Sequence, residues 1–206
     1  MSRTPRVILE TELGDITIDI DVSAAPLTGR YVLDLVASGC FDDARFYRST
    51  NFGLSDRRRL VQGGPLAPLF TGSGTPRSTP AMLDTVESTS MTGFAHVRGT
   101  VSLARDLFST GHVLPELFIC LDTYPELDEG GRSEPDSLGF PAFGSVGGGL
   151  DVVESIAALP TDGFSPVDRL VGEVLTRPVT IIRATIDDPT APAPTPTPNE
   201  RTQDLT

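Results

Sequence analysis

Cysteine, histidine and basic residues are all scarce in this chain, and long apolar runs are missing. Only two cysteines occur, Cys40 and Cys120, far apart and with no C-x-x-C or other ligand spacing. Both read as buried free thiols, a pattern that suits a reducing compartment. The two histidines, His96 and His112, have neither a second histidine nor a cysteine at ligand spacing, so no metal site is expected. Sixteen Lys plus Arg against 28 Asp plus Glu give a net charge of -12. That sign repels nucleic-acid phosphates and anionic lipid, so neither is an expected partner. No stretch approaches the roughly 20 apolar residues of a membrane span. The opening "MSRTPRVILETELGDI" lacks the apolar core and small-residue cleavage site of a secretion signal, and a cytoplasmic, monomeric protein is expected. There is no Gly-x-Ser-x-Gly elbow, and the glycines of "SVGGGLD" and "GGP" lack nucleotide-loop spacing. They read as turns, and no cofactor is expected.

What the chain does contain is strand periodicity. "RVILETELGDITIDID" holds Val7, Leu9, Ile16, Ile18 and Ile20 in period-two alternation about Leu13-Gly14-Asp15, which predicts a hairpin. In "SAAPLTGRYVLDLVASGC", Pro26 stands near a helix start and Gly39 past its end, and Leu27, Tyr31, Val32, Leu35 and Val36 form an apolar stripe. Residues 41–61 read as strand, loop, strand. Residues 65–93 form a long Gly/Pro/Ser/Thr-rich stretch without a period, of the kind that is usually functional inside a compact domain. "GTVSLAR" and "ELFICLD" read as buried strands, "PAFGSVGG" as another, "LDVVESIAAL" as a short helix with Leu150, Val153 and Ile156 on one face, and "RPVTIIRATI" as the last strand. At 206 residues the chain suits one domain, here 1–188. It is followed by a Pro/Thr-rich tail, 189–206, whose composition cannot bury enough apolar surface to fold.

The order of these elements, together with five words, resembles the cyclophilin family of peptidyl-prolyl isomerases. "FYR" at 46–48 is similar to the family's Phe-His-Arg, "VQGG" to its Gln-Gly-Gly, and "GTVSLAR" to its Gly-x-x-Ser-Met-Ala-Asn strand. "ELFICL" is similar to its Gln-Phe-Phe-Ile strand, and "FPAFGSVGGGLDVVESIAAL" to its Val-Phe-Gly-x-Val and second helix. The likeness runs over roughly residues 6 to 186 in unbroken order. It implies a mainly β fold: a closed eight-stranded antiparallel β-barrel capped by two α-helices, with a peptide groove on one outer face. It also implies roles. Arg48 corresponds to the arginine that donates to the twisting prolyl amide, and Phe46 and Tyr47 precede it in the triplet. Gln62 corresponds to the glutamine that orients the substrate backbone. Phe118 corresponds to the floor of the proline pocket, Leu60 and Leu127 to its walls, and Ala104 and Arg105 to the Ala-Asn pair that meets the peptide. The implied partners are proline-containing peptides or unfolded chains.

Several positions depart from the pattern. Tyr47 replaces a histidine, Arg59 a pocket phenylalanine, Glu116 a glutamine, Phe140 the histidine at the pocket rim, and Glu126 an aromatic ring. Glu116 is expected near Arg48, where an ion pair competes with the substrate for the guanidinium. Between Arg48 and Gln62 there are about six more residues than the family shows. They include Arg57 and Arg58, read either as solvated loop charges or as a basic lip that selects acidic sequences. Two functions follow: an isomerase of Xaa-Pro bonds, favoured by Arg48, Gln62 and Phe118, or a binding module with weak or no catalysis, favoured by Arg59, Glu116 and Glu126.

Overall fold

The hairpin predicted at the start of the chain is β1 (Arg6–Thr11) and β2 (Gly14–Ile20), paired antiparallel with Val7 opposite Ile18 and Leu9 opposite Ile16. Its alternating apolar residues all point inward. Six further strands follow: β3 (Arg45–Thr50), β4 (Leu60–Gly64), β5 (Thr100–Arg105), β6 (Val113–Cys120), β7 (Ala142–Gly148) and β8 (Val174–Asp187). The computed structural model describes residues 4–51, 59–77, 80–106, 111–132 and 136–187. The proposed basic lip at Arg57 and Arg58 and the tail at 189–206 lie outside them.

The strands run β1-β2-β7-β5-β6-β4-β3-β8, and β8 pairs back onto β1, so the sheet closes and leaves no exposed edge. One side of each strand fills the interior: Leu9, Ile18, Phe46, Val61, Val101, Leu103, Leu117, Ile119 and Phe143 belong to one buried cluster. Helix α1 (Pro26–Ala37) packs on β7 and β8 and adds Val32, Leu35 and Val36 to that cluster. The stripe is narrower than the sequence suggests, because Leu27 is exposed. The stretch 65–93 holds two short helices, α2 (Ala67–Thr71) and α3 (Thr89–Thr92). Helix α4 (Leu150–Ala157) packs on β2, β3 and β4 through Val153 and Ile156.

In β4 and β5 every residue is buried, and in β6 every residue but Leu114. The outer face of these three strands is therefore roofed by the connecting segments. A second apolar cluster lies there, outside the barrel: Leu60, Ala104, Phe118, Cys120, Tyr124, Leu127 and Phe140. Neither cysteine is in a disulfide; Cys120 is buried and Cys40 half-buried, less than expected.

Helix α1 has no side-chain cap of its own at Ala25. Glu87, from the long segment before α3, serves instead: its two carboxylate oxygens accept the Leu27 and Thr28 N–H groups at 3.1 and 2.7 Å. A carboxylate at the positive end of a helix dipole, shielded from water, satisfies two donors the helix cannot. Glu87→Ala is expected to lower the unfolding free energy by about 1–3 kcal/mol, seen as a lower urea midpoint at unchanged m. An unchanged midpoint would mean that water caps the helix equally well.

Candidate active site

A row of side chains crosses the roofed face. Ser102 on β5 is registered against Phe118 on β6, Phe118 against Gln62 on β4, and Gln62 against Arg48 on β3. Strands lie about 4.8 Å apart, so cross-strand neighbours touch along the row. The apolar cluster occupies one end: Phe118 meets Phe140 edge-to-face at 5.5 Å, and Leu60, Ala104 and Leu127 close around them. The Arg132 guanidinium lies over the Phe140 ring at 5.7 Å. Beneath Phe118 stacks His96, fully buried, whose Nδ1 lies 2.7 Å from Asp128 Oδ1. Burial holds the His96 pKa below its ordinary value against the pull of Asp128, so the ring is a neutral support for the pocket floor.

At the other end is Arg48. Its Nη1 donates to Gln62 Oε1 at 2.8 Å, and Gln62 Nε2 donates to the Tyr47 hydroxyl at 3.0 Å. Each end of the Gln62 amide thus has a protein partner, and its oxygen holds Arg48. Tyr47 is buried and stacked on Phe70 of α2, with centroids 5.4 Å apart. The remaining edge of Arg48 meets a carboxylate the sequence did not point to. Its Nε and Nη2 donate to Glu173 Oε2 at 2.8 and 2.5 Å, and the Thr50 hydroxyl donates to Glu173 Oε1.

The ion pair expected between Glu116 and Arg48 is therefore replaced by one with Glu173. Glu116 is fully buried, and its Oε1 accepts the Leu66 N–H at 2.6 Å. The two glycines after Gln62 make room for this packing. A Cβ on Gly64 would lie 2.6 Å from Glu116 Oε1, and one on Gly63 2.7 Å from the Phe46 Cα. Burial pushes the Glu116 pKa up to about 8, against the opposing effect of the Leu66 N–H and the neighbouring Tyr47 hydroxyl. Among the described residues its Oε2 has no hydrogen-bond partner.

The structure thus brings together Arg48, Gln62, Tyr47, Phe118, Leu60, Leu127, Ala104 and Phe140, with Glu116 below them. Phe46 is not among them. It points into the barrel, fully buried in the main core, because it sits on the opposite side of β3 from Arg48. Arg105 is buried too, and its guanidinium is spent on Asp136, through Nη1 and Nη2 at 3.0 and 2.7 Å, and on the Gly111 and Gly139 carbonyls. It ties loops together instead of facing a peptide, and in return holds the Asp136 pKa below its ordinary value. Arg59, expected at a pocket wall, lines a separate cavity of about 350 Å³ beyond Arg48, with Thr50, Asn51, Thr161 and Glu173. Among the described residues no cluster of His, Cys, Asp or Glu could hold a metal ion.

Residues 6–186 match the family described as cyclophilin type peptidyl-prolyl cis-trans isomerase/CLD. The peptidyl-prolyl cis-trans isomerase A of Dickeya dadantii is 28% identical over 180 residues, covering 87% of this chain and 83% of that protein. A peptidyl-prolyl cis-trans isomerase of Acinetobacter baylyi is 27% identical over 159 residues, 77% and 74% of the two chains. A cyclophilin-type isomerase of Cryptosporidium parvum, crystallised in the presence of the dipeptide Ala-Pro, superposes with a TM-score of 0.60 at 18% identity, covering 88% of this chain and 98% of that one. A cyclophilin of Hirschia baltica gives 0.58 at 19% identity, covering 91% and 75%.

The buried Glu116 carboxyl makes stability depend on pH. Its folded pKa of about 8 lies above the ordinary 4.5, so between those values the native state keeps a proton that the unfolded chain has released. Stability from this group is full below about pH 4.5 and falls, by at most about 1.4 kcal/mol per pH unit, as pH rises to about 8. Glu116→Gln removes the titration. The variant is expected to gain on the wild type by about 1–3 kcal/mol in denaturant titrations between pH 5 and pH 8. An offset between the two proteins that is equal at both pH values would refute this.

Proposed function

The chain belongs to the cyclophilin-type peptidyl-prolyl cis-trans isomerases, and we propose from that premise how its own residues turn an Xaa-Pro bond. The protein is an isomerase, and the reaction is rotation alone. Amide resonance sets a barrier of about 18–20 kcal/mol, because rotation must break the partial double bond to the proline nitrogen. In the twisted state that nitrogen recovers its lone pair and becomes a hydrogen-bond acceptor, which it is not in either planar state. A donor aimed at it therefore binds the transition state more tightly than substrate or product.

Arg48 is the donor in this reading. The observation that carries it is the clamping of its guanidinium by Gln62 and Glu173 beside an apolar cluster that lies outside the barrel core. Its charge is permanent, and its planar fork suits simultaneous contact with nitrogen and carbonyl oxygen of one prolyl residue. Phe118, Leu60, Leu127, Ala104 and Phe140 form the apolar cluster beside it, against which, in this reading, the proline ring is held still while the preceding carbonyl swings. A pre-set guanidinium needs no reorganisation during that swing, which is where electrostatic catalysis gains most. No step requires a bond to be made or a proton to leave the protein.

Its clients, in the same reading, are proline-containing segments of unfolded or refolding chains, met by a monomer in the cytoplasm. The two cysteines, neither in a disulfide, support that compartment, and the net charge of -12 argues against nucleic acid as a client. Among the described residues no helix is long and apolar enough to cross a membrane.

Rotation of a short Ala-Pro peptide, followed with purified protein, tests the assignment. Arg48→Ala, with its circular dichroism unchanged, is expected to lose about 10²-fold in kcat/KM. Arg48→Lys is expected to recover little, because an ammonium cannot meet Gln62, Glu173 and the substrate together. Rotation as fast with Arg48→Ala as with wild type would remove Arg48 from the chemistry. Peptide affinity without any acceleration by the wild type would make the groove a binding surface only.

A further inference from the structure

Glu173 stands outside every segment that resembles the family's groove, yet it makes more contacts to Arg48 than any other side chain described above. We infer that Glu173 is a positioning residue for the isomerase reaction, a brace that fixes the orientation of the Arg48 guanidinium; the inference rests on the role of Arg48 given above.

The local chain is built to present this carboxylate. A 3-10 turn at Asp168–Leu170 is followed by Gly172, whose φ of +85° turns the backbone back toward β3. The Glu173 N–H then donates to the Leu170 carbonyl at 3.0 Å, and its own carbonyl accepts the Ser49 N–H at 3.0 Å. Its side chain reaches both neighbours of Ser49. Oε2 receives the Nε and Nη2 edge of Arg48, and Oε1 receives the Thr50 hydroxyl. Glu173 is thus anchored to three consecutive residues of β3, by main chain at the middle one and by side chain at the outer two.

The effect on Arg48 is geometric. A guanidinium held at one edge rotates about its remaining torsions; one held at two edges does not. Gln62 grips Nη1 and Glu173 grips the Nε–Nη2 edge, so the plane of the fork is set by two independent elements, β4 and the turn that leads into β8. With side-chain exposures of 14% for Arg48 and 23% for Glu173, the pair is partly shielded, and its hydrogen bonds are more persistent than those of a solvated surface pair. A neutral oxygen in the same place would serve as a brace; a carboxylate moved back by one methylene would not.

This contrast separates position from charge. Glu173→Gln keeps the reach and an acceptor oxygen but loses the charge, while Glu173→Asp keeps the charge and loses the reach. With the Ala-Pro peptide, Glu173→Gln is expected to stay within about threefold of the wild-type kcat, whereas Glu173→Asp and Glu173→Ala fall about tenfold at little-changed KM. On an Arg48→Ala background, Glu173→Ala is expected to have no further effect, since it acts through the guanidinium. The Arg48 Nε–Hε proton, read by NMR, is expected to exchange slowly in wild type and Glu173→Gln and rapidly in Glu173→Asp. If the Asp variant is active and the Gln variant is not, charge rather than position is what Glu173 supplies, and the inference fails. It fails equally if all three variants are faster than wild type, which would make Glu173 a brake. An active wild type with an inactive Arg48→Ala and indifferent Glu173 variants sinks this inference alone. An inactive wild type sinks the role of Arg48, and the brace with it.

Discussion

A single extra residue in β3 decides which side chains face the groove. Between the pairs Phe46↔Gly63 and Arg48↔Gln62 the strand carries Tyr47 with no partner of its own, so the register slips there by one. Without the slip, inward Phe46 would put Tyr47 outward and Arg48 inward, into the core. With it, Phe46 fills the barrel while Tyr47 and Arg48 both belong to the outer face. The hydrogen-bond chain from Tyr47 through Gln62 to Arg48 depends on this bulge, as does the ion pair with Glu173. Bulges often re-aim a side chain, and this one moves a charged group out of the barrel core to the outer face, where Gln62 and Glu173 hold it.

The same constraint explains the glycines. Neither Gly63 nor Gly64 has space for a Cβ: Gly63 lies against the Phe46 backbone of β3, and Gly64 against Glu116 and the Pro115 carbonyl of β6. The Gln-Gly-Gly word is thus one statement about packing and one about chemistry. The glutamine grips Arg48, and the glycines allow the strands to lie where it can.

Much of this was legible in the sequence. Period-two alternation in β1 and β2 and the Pro26 and Gly39 punctuation of α1 are local signals, and the structure keeps them. Arg48, Gln62 and Phe118 were legible because each sits inside a word of several residues, and the fold then registers those words side by side. Phe46 was misassigned because a triplet read as a unit conceals the bulge at Tyr47, which puts Phe46 and Arg48, two residues apart, on opposite faces. Glu116 and Glu173 show the harder limit. Both are carboxylates on strands or turns near Arg48, and nothing in one dimension says which of them reaches it. The Leu66 N–H captures Glu116, while Glu173 lies 125 residues from Arg48 in the chain and meets it only when β8 pairs with β3. Arg105 is similar: its donors are claimed by Asp136 and two carbonyls from loops whose folding is not written in local periodicity.

The closure of β1 against β8 gives the molecule a history as well as a shape. The first strand acquires its second neighbour only when the last strand, ending at Asp187, is available. On the ribosome, where synthesis is directional, β1 waits for almost the whole domain to emerge, and the barrel cannot seal one part at a time. Arg48 is made early but held late, because Glu173 leads directly into the closing strand. The enzyme's competence is therefore a property of the finished chain. The sequence also has 18 prolines, whose peptide bonds isomerise in tens to hundreds of seconds unaided. Each newly made copy therefore carries many bonds of the Xaa-Pro kind whose rotation its own family catalyses.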